Sequence, residues 1–215
     1  MAGNMRGRTL DRHYKYIRPF RFLYGWAIDA RRSAACSRRA EEWRAKGFCG
    51  AKLDVCGGRN PYRPGEFLNC DAVAFPQVDI VLDLRKRLPF DDGVIAEIVS
   101  FATLEHLRKP HIDRALREFF RILQPGGLLC ISTPDLEAIA RLILAGGDLS
   151  RINQHLFGKF KEDCTEDIDL HKWMYPAPAL MQELAQIGFQ EVEQIPNNTG
   201  MHDAELNFLV RAQKL

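Results

Sequence analysis

No stretch of this sequence reaches the ~18 uninterrupted apolar residues that a membrane-spanning helix needs. Its start, MAGNMRGRTLDRHYK, carries no apolar signal core, so a cytoplasmic protein is expected. The six cysteines, Cys36, Cys49, Cys56, Cys70, Cys130 and Cys164, form no CxxC pair and have no secretory context. Reduced thiols are therefore expected, not disulfides. Among the histidines, His106, His111, His155 and His171 fall at neither i,i+4 nor CxxC-type spacing, which predicts a protein without a metal ion. A G-x-G-x-x-G segment is also missing, which argues against a nicotinamide dehydrogenase. There is no internal repeat. Apolar residues make up 46% and charged residues 27% of the chain, close to globular averages, so disordered and low-complexity classes are excluded. A length of 215 residues suits one domain with an appendage better than two full domains.

The net charge of +2 hides an uneven distribution. Residues 1–50 hold 12 Lys and Arg against 4 Asp and Glu, a charge of +8, which leaves −6 on residues 51–215. The first 50 residues read as a basic, aromatic helical extension, with Tyr14, Tyr16, Phe20, Phe22, Tyr24 and Trp26 among the Arg and Lys of residues 10–32. Within it, Cys36, Ala40 and Trp43 lie at helical spacing before Gly47. From Ala51 onward, short apolar runs at 51–55, 78–82, 95–101 and 128–132 alternate with turns and helical stretches. Such alternation predicts a parallel sheet with helices on its faces. Ile112, Leu116, Phe119, Phe120 and Leu123 make one helical stripe, stopped by Pro125-Gly126-Gly127; Leu180, Met181, Leu184 and Ile187 make another, stopped by Gly188. Two strands, at 191–195 and 207–212, are expected to close the chain.

The chemistry concentrates after the first strand. Lys52-Leu53-Asp54-Val55 runs directly into Cys56-Gly57-Gly58, and a glycine-rich turn at that edge of a doubly wound sheet lets backbone approach a ligand closely. An ordinary strand-ending turn would look the same. Two acids then stand where the next two strands should end, Asp71 and Asp83; an acid beyond the glycine turn can accept hydrogen bonds from ribose hydroxyls. Either could be a turn former alone. Together, after consecutive strands, they point to a nucleoside pocket.

On these residues the sequence resembles the class I S-adenosylmethionine-dependent methyltransferases, and among them a group of short bacterial predicted methyltransferases of the type 11-like kind. The resemblance rests on Leu53-Asp54-Val55-Cys56-Gly57-Gly58, Asn69-Cys70-Asp71, and Asp83-Leu84 with Leu88-Pro89-Phe90. It continues through Thr103-Leu104-Glu105-His106-Leu107, Leu123-Gln124-Pro125-Gly126-Gly127, Thr133-Pro134-Asp135 and the Leu184 to Phe189 segment. It covers residues 51–212 and implies an α/β fold: a doubly wound, Rossmann-like, seven-stranded and mainly parallel sheet behind the helical extension, with the domain boundary near residue 50. It also implies the cofactor S-adenosyl-L-methionine. Asp54 with Cys56, Gly57 and Gly58 would hold the methionine part, Asp71 the ribose, Asp83 with Leu84 the adenine, and the Phe101 backbone the methionine end. One departure stands out: Cys56 occupies a position that is glycine in the family, where a side chain crowds the cofactor or makes the turn re-form on Gly57 and Gly58.

Methyl transfer from a sulfonium is an in-line displacement, so a general base is needed only where the acceptor must lose a proton. His106, after the fourth strand, is the expected base; His171, in the polar insertion 146–171, and His202, between the final strands, are alternatives, and Glu105 is a candidate acceptor-binding group. The insertion is either a lid over the acceptor or a solvated connection. The acceptor expected from the resemblance is a small molecule or a glycan, with a link to surface-polysaccharide assembly. Residues 10–32 either cover the cofactor cleft or lie on an anionic membrane surface at the inner membrane face; nucleic acid is disfavoured because residues 51–215 are acidic. The competing reading is a degraded methyltransferase-like module that binds or scaffolds without catalysis, with Cys56 as its mark.

Overall fold

The computed structural model describes residues 29–159 and 169–215. Most of the aromatic segment 10–32, Cys164 and the acidic residues of 162–167 therefore lie outside the described residues. The chain enters through α1, described over 29–45, in which Cys36 and Ala40 are buried and Trp43 packs against the core, as their spacing predicts. There follow β1 (Ala51–Val55), β2 (Leu68–Asp71), β3 (Ile80–Val81), β4 (Ile95–Phe101), a 3₁₀ turn (Leu104–His106) and α2 (Lys109–Ile122). The chain continues through β5 (Leu123–Pro134), α3 (Leu136–Leu144), α4 (Leu149–Phe157), α5 (Ala177–Ile187), β6 (Gln190–Ile195) and β7 (Asn207–Gln213).

The seven strands form one sheet in the order β3-β2-β1-β4-β5-β7-β6. All neighbours are parallel except β7, which runs antiparallel to both β5 and β6. The expected doubly wound, mainly parallel architecture is present, with its one reversed strand at the expected place. The order reverses between β1 and β4, and in such sheets ligands bind outside the carboxyl ends of the strands that flank the reversal. Both helical stripes face inward: Ile112, Leu116, Phe119 and Ile122 of α2, and Leu180 and Leu184 of α5, are wholly buried in the main core.

Three details differ from the sequence reading. Leu123 ends no helix: α2 stops at Ile122 and Leu123 already pairs with Ile95 of β4, so the Pro125-Gly126-Gly127 bend sits inside an irregular β5. The third strand shrinks to Ile80–Val81, because Val81 is an exposed edge residue with one neighbouring strand. Phe101 is the last residue of β4, not the first beyond it.

The extension is tied to the sheet by charge as well as packing. Arg39 of α1 donates from Nε to Asp79 Oδ1 at 2.8 Å, and Asp79 Oδ2 accepts the Asn69 N–H at 2.8 Å. The Asp79 side chain is wholly buried. Removing one member of such a pair strands the other charge at a cost of roughly 3–5 kcal/mol. Arg39→Ala is therefore expected to lower the melting temperature by about 6–15 °C, and the double change Arg39→Ala, Asp79→Ala to cost less than the sum of the singles. Equal melting of Arg39→Ala and parent in a thermal scan would refute the link.

Candidate active site

The turn after β1 is shaped by close packing of its own backbone. A Cβ on Gly57 would collide with the Asp54 carboxylate and approach the Asn69 Oδ1 to 2.6 Å, so only glycine fits. Gly58 takes a left-handed φ of 53°, and Cys56 takes one of 66°, a conformation that a residue with a Cβ pays for. The Cys56 N–H donates to the Cys70 carbonyl at 2.6 Å, holding the turn to β2, and Asn69 donates to the Gly58 carbonyl at 2.9 Å. The Cys56 side chain packs against the main core. Burial, and then the charge of Asp71, drive its thiol well above the ordinary range, so it is no nucleophile.

Three carboxyl groups surround this turn. Asp54 is 2% exposed and accepts the Tyr62 N–H at 2.7 Å; burial pushes its pKa up to about 6, with Asp71 adding to the rise. Asp71, at the end of β2, is half-buried and accepts the Val73 N–H at 2.8 Å, and burial raises it as well. Glu105, in the 3₁₀ turn, is 2% exposed and is pushed up to about 7 by burial. Asp54 lies against Gly57 and Asp71 against Gly58, and the charge of these two and of Glu105 raises the Cys56 thiol. Among the described residues none of the three has an ion-pair partner.

Asp83 is different. Its carboxylate accepts from the Arg85 backbone at 2.9 Å and from the Arg85 guanidinium at 2.9 and 3.0 Å, and those hydrogen bonds hold it below the ordinary range. Leu84 is buried in the main core. The side chains of this pair are thus engaged within the protein, and the Asp83 carbonyl accepts the Lys86 N–H at 3.0 Å. Phe101 is likewise buried, with Tyr62 edge-on at 5.1 Å.

β4 ends as β1 does, in a left-handed residue: Ala102 has φ 48°. Next to it the Thr103 hydroxyl reaches the carbonyls of Val55, at 3.1 Å, and Phe101, at 3.2 Å, lacing the two strand ends together. The Thr133 hydroxyl of β5 donates to Glu105 Oε2 at 2.9 Å. The segment from residue 169 to residue 173 folds onto this turn. The Lys172 N–H donates to the Glu105 carbonyl at 2.6 Å, His106 Nδ1 lies 3.3 Å from the Leu170 carbonyl, and the His106 and His171 rings stand edge-on at 5.1 Å. Gly158, where a Cβ would collide with the Asp169 carbonyl, pairs with Leu170 and closes the base of the loop.

Glu105, His106 and His171 therefore converge, one potential ligand atom of each lying within 4.8 Å of the others. Burial and then the neighbouring His171 pull His106 down to about 4, and burial lowers His171. His202 stands elsewhere, lowered by burial and by Lys159 and His155. Sequence reasoning gave no role to Tyr62, Asn69, Thr103 or Thr133. Asn69 and the two threonines lie inside the quoted motif segments, which was the one available signal.

A family model described as a methyltransferase domain matches residues 14–194. A probable S-adenosylmethionine-dependent methyltransferase of Mycolicibacterium smegmatis is 38% identical over 63 residues, 28% of this chain and 23% of that protein. A ubiquinone/menaquinone biosynthesis C-methyltransferase of Bartonella henselae is 41% identical over 64 residues, 29% of this chain and 24% of that protein. The match thus spans about a quarter of the length of these curated relatives. Of solved structures, the methyltransferase SibL aligns with a TM-score of 0.51 at 14% identity, over 77% of this chain and 50% of that one. The CurJ carbon methyltransferase aligns with a TM-score of 0.50 at 16% identity, over 77% and 48%. These two likenesses show the fold.

The raised Asp54 pKa has a measurable consequence. With the folded value near 6 against an ordinary 3.8, the native chain holds its proton longer than the unfolded one. The penalty is absent below about pH 4, grows as pH rises through about 6 and is complete by pH 8. Asp54→Asn has no proton to lose, so at pH 8 it should be more stable than the parent by roughly 2–3 kcal/mol, with the gap closing toward pH 4. Urea unfolding at both pH values checks this; a gap independent of pH would show that Asp54 carries no such penalty.

Proposed function

The chain belongs to the methyltransferase-domain family, and from that membership we propose that it transfers a methyl group from S-adenosyl-L-methionine to a hydroxyl oxygen of a small-molecule acceptor, carbohydrate-like hydroxyls included. The carrying observation is the glycine turn after β1 with Asp54 packed against Gly57 and Asp71 against Gly58, two desolvated carboxyls without a cationic partner among the described residues. Such a site fits a ligand that brings positive charge and hydroxyl donors together. The cofactor supplies a methyl group on a cationic sulfur. Asp54 and the Cys56–Gly58 backbone hold its methionine part, Asp71 accepts from its ribose hydroxyls, the Asp83–Leu84 backbone borders its adenine, and the Phe101 backbone meets its methionine end.

The acceptor side is the neighbouring strand end. Glu105, His106 and His171 border the place where the acceptor oxygen must lie, and they orient it and take up its proton. The oxygen's electron pair then forms the new bond to carbon while the carbon–sulfur pair stays on sulfur. Most of the rate comes from this positioning. The segment 169–173, hydrogen-bonded to the 3₁₀ turn, screens the acceptor from water.

Calorimetric titration with S-adenosylhomocysteine tests the reading. Saturable binding is expected, weakened about 10–100-fold by Asp71→Asn, since a hydrogen bond to a charged acceptor contributes about 1.5–3 kcal/mol. No heat at millimolar ligand would remove the enzyme claim. Binding that appears only in Cys56→Gly would mark the chain as a fold kept for scaffolding. With cofactor binding in hand, His106→Ala should lower turnover by about 10²–10⁴ while cofactor affinity changes little.

A further inference from the structure

We infer that Glu105, His106 and His171 form a binding site for one divalent transition-metal ion of the zinc class. Sequence spacing argued against a metal, because the two histidines are remote from each other along the chain. Folding brings them together with the carboxylate, to within 4.8 Å. Two imidazoles and one carboxylate are a donor set that zinc-class ions take with a position left open. Ligand atoms bonded at ~2.1 Å to one tetrahedral ion stand about 3.4 Å apart, so the group closes modestly on the ion.

Three independent features support a built site over a chance cluster. His106 Nδ1 is 3.3 Å from the Leu170 carbonyl and His171 Nδ1 is 2.6 Å from the His155 carbonyl. A carbonyl only accepts, so each Nδ1 carries the hydrogen and each Nε2 keeps its lone pair, which is the outer-shell arrangement that orients metal-binding histidines. The Glu105 carboxylate is buried and oriented by the Thr133 hydroxyl at 2.9 Å. Finally, no hydrogen bond or ion pair among the described residues joins Glu105 to either imidazole, although all three converge. Groups of this chemistry that pointed at each other for stability alone would pair.

The ion's role, lowering the pKa of an acceptor hydroxyl at its open position in place of direct proton uptake by the three side chains, rests on the methyl-transfer reading. Its binding does not. The test uses the full chain, stripped with a chelator and titrated with Co²⁺ or Zn²⁺ alone, without cofactor. One ion per chain is expected, with binding lost in Glu105→Gln, His171→Ala and His171→Asn, weakened about 10–100-fold in Thr133→Val, and unchanged in His111→Ala. Thermal unfolding of the metal-free variants confirms that they are folded, and added metal should raise the melting temperature of the parent but not of His171→Asn. Absence of saturable binding, parental affinity in folded His171→Asn, or a sulfur-to-cobalt absorption band placing the ion on cysteine would each overturn the site. Titrating the same samples with S-adenosylhomocysteine separates the two readings. Metal binding without cofactor binding sinks methyl transfer and keeps the ion site; cofactor binding without metal binding does the reverse.

Discussion

The constraint on which the site depends is the packing of desolvated carboxyls against the turn after β1, Asp54 on Gly57 and Asp71 on Gly58, with buried Glu105 adding its charge at Cys56. Buried charges in proteins are normally paired, and this protein pairs others: Asp79 has Arg39 and Asp83 has Arg85. Among the described residues the other three receive only backbone N–H groups and hydroxyls. That difference separates acids that hold the fold together from those to which the proposed function assigns a ligand. The chain tolerates them because the surrounding framework is strong. β1 lies between two parallel neighbours, and the Arg39–Asp79–Asn69–Gly58 relay fixes the turn from behind.

The same place concentrates backbone strain. Cys56 and Ala102 close β1 and β4, the two strands where the sheet order reverses, and both hold left-handed conformations despite their Cβ atoms. Thr103 ties the two ends through the Val55 carbonyl. A strained residue persists only where its neighbours over-determine it, and two of them joined by one hydroxyl at a topological switch point make a rigid rim. The family's glycine would meet this geometry at less cost. With cysteine there, the thiol fills core space, so the turn keeps its shape without re-forming on Gly57 and Gly58 alone.

The fold was legible in the sequence wherever local pattern controls structure. Glycines mark the turn after β1, the stripes of α2 and α5 have helical period and are buried, and of the two acids expected at the ends of the second and third strands Asp71 ends β2 while Asp83 follows β3 by two residues. Legibility failed where the deciding neighbour is distant. Leu123 carries on the helical period, yet pairing with Ile95 recruits it to β5. His106 looks like the natural base because an unperturbed imidazole titrates near neutrality; burial inverts the ranking, taking His106 down to about 4 and Glu105 up to about 7. The approach of His171 to His106 depends on Gly158 and Leu170 closing a loop base, and no spacing rule in one dimension contains it. Asp83 and Arg85 are only two residues apart, so their pairing is the one feature that local reading passed over.

Charge balance links the two halves of the site. Ionised, Asp54, Asp71 and Glu105 carry three negative charges within reach of one turn. S-adenosylmethionine brings one net positive charge, since its sulfonium and ammonium outweigh its carboxylate, and a divalent ion at Glu105, His106 and His171 brings two. On the two proposals together, the three carboxyls would meet three positive charges, although the like signs of cofactor and ion oppose each other across the site. The proposed methyl transfer would remove the sulfonium charge and leave a neutral thioether product. One carboxyl would lose its counter-charge at that moment, so the energy that draws the cofactor in would no longer hold the product.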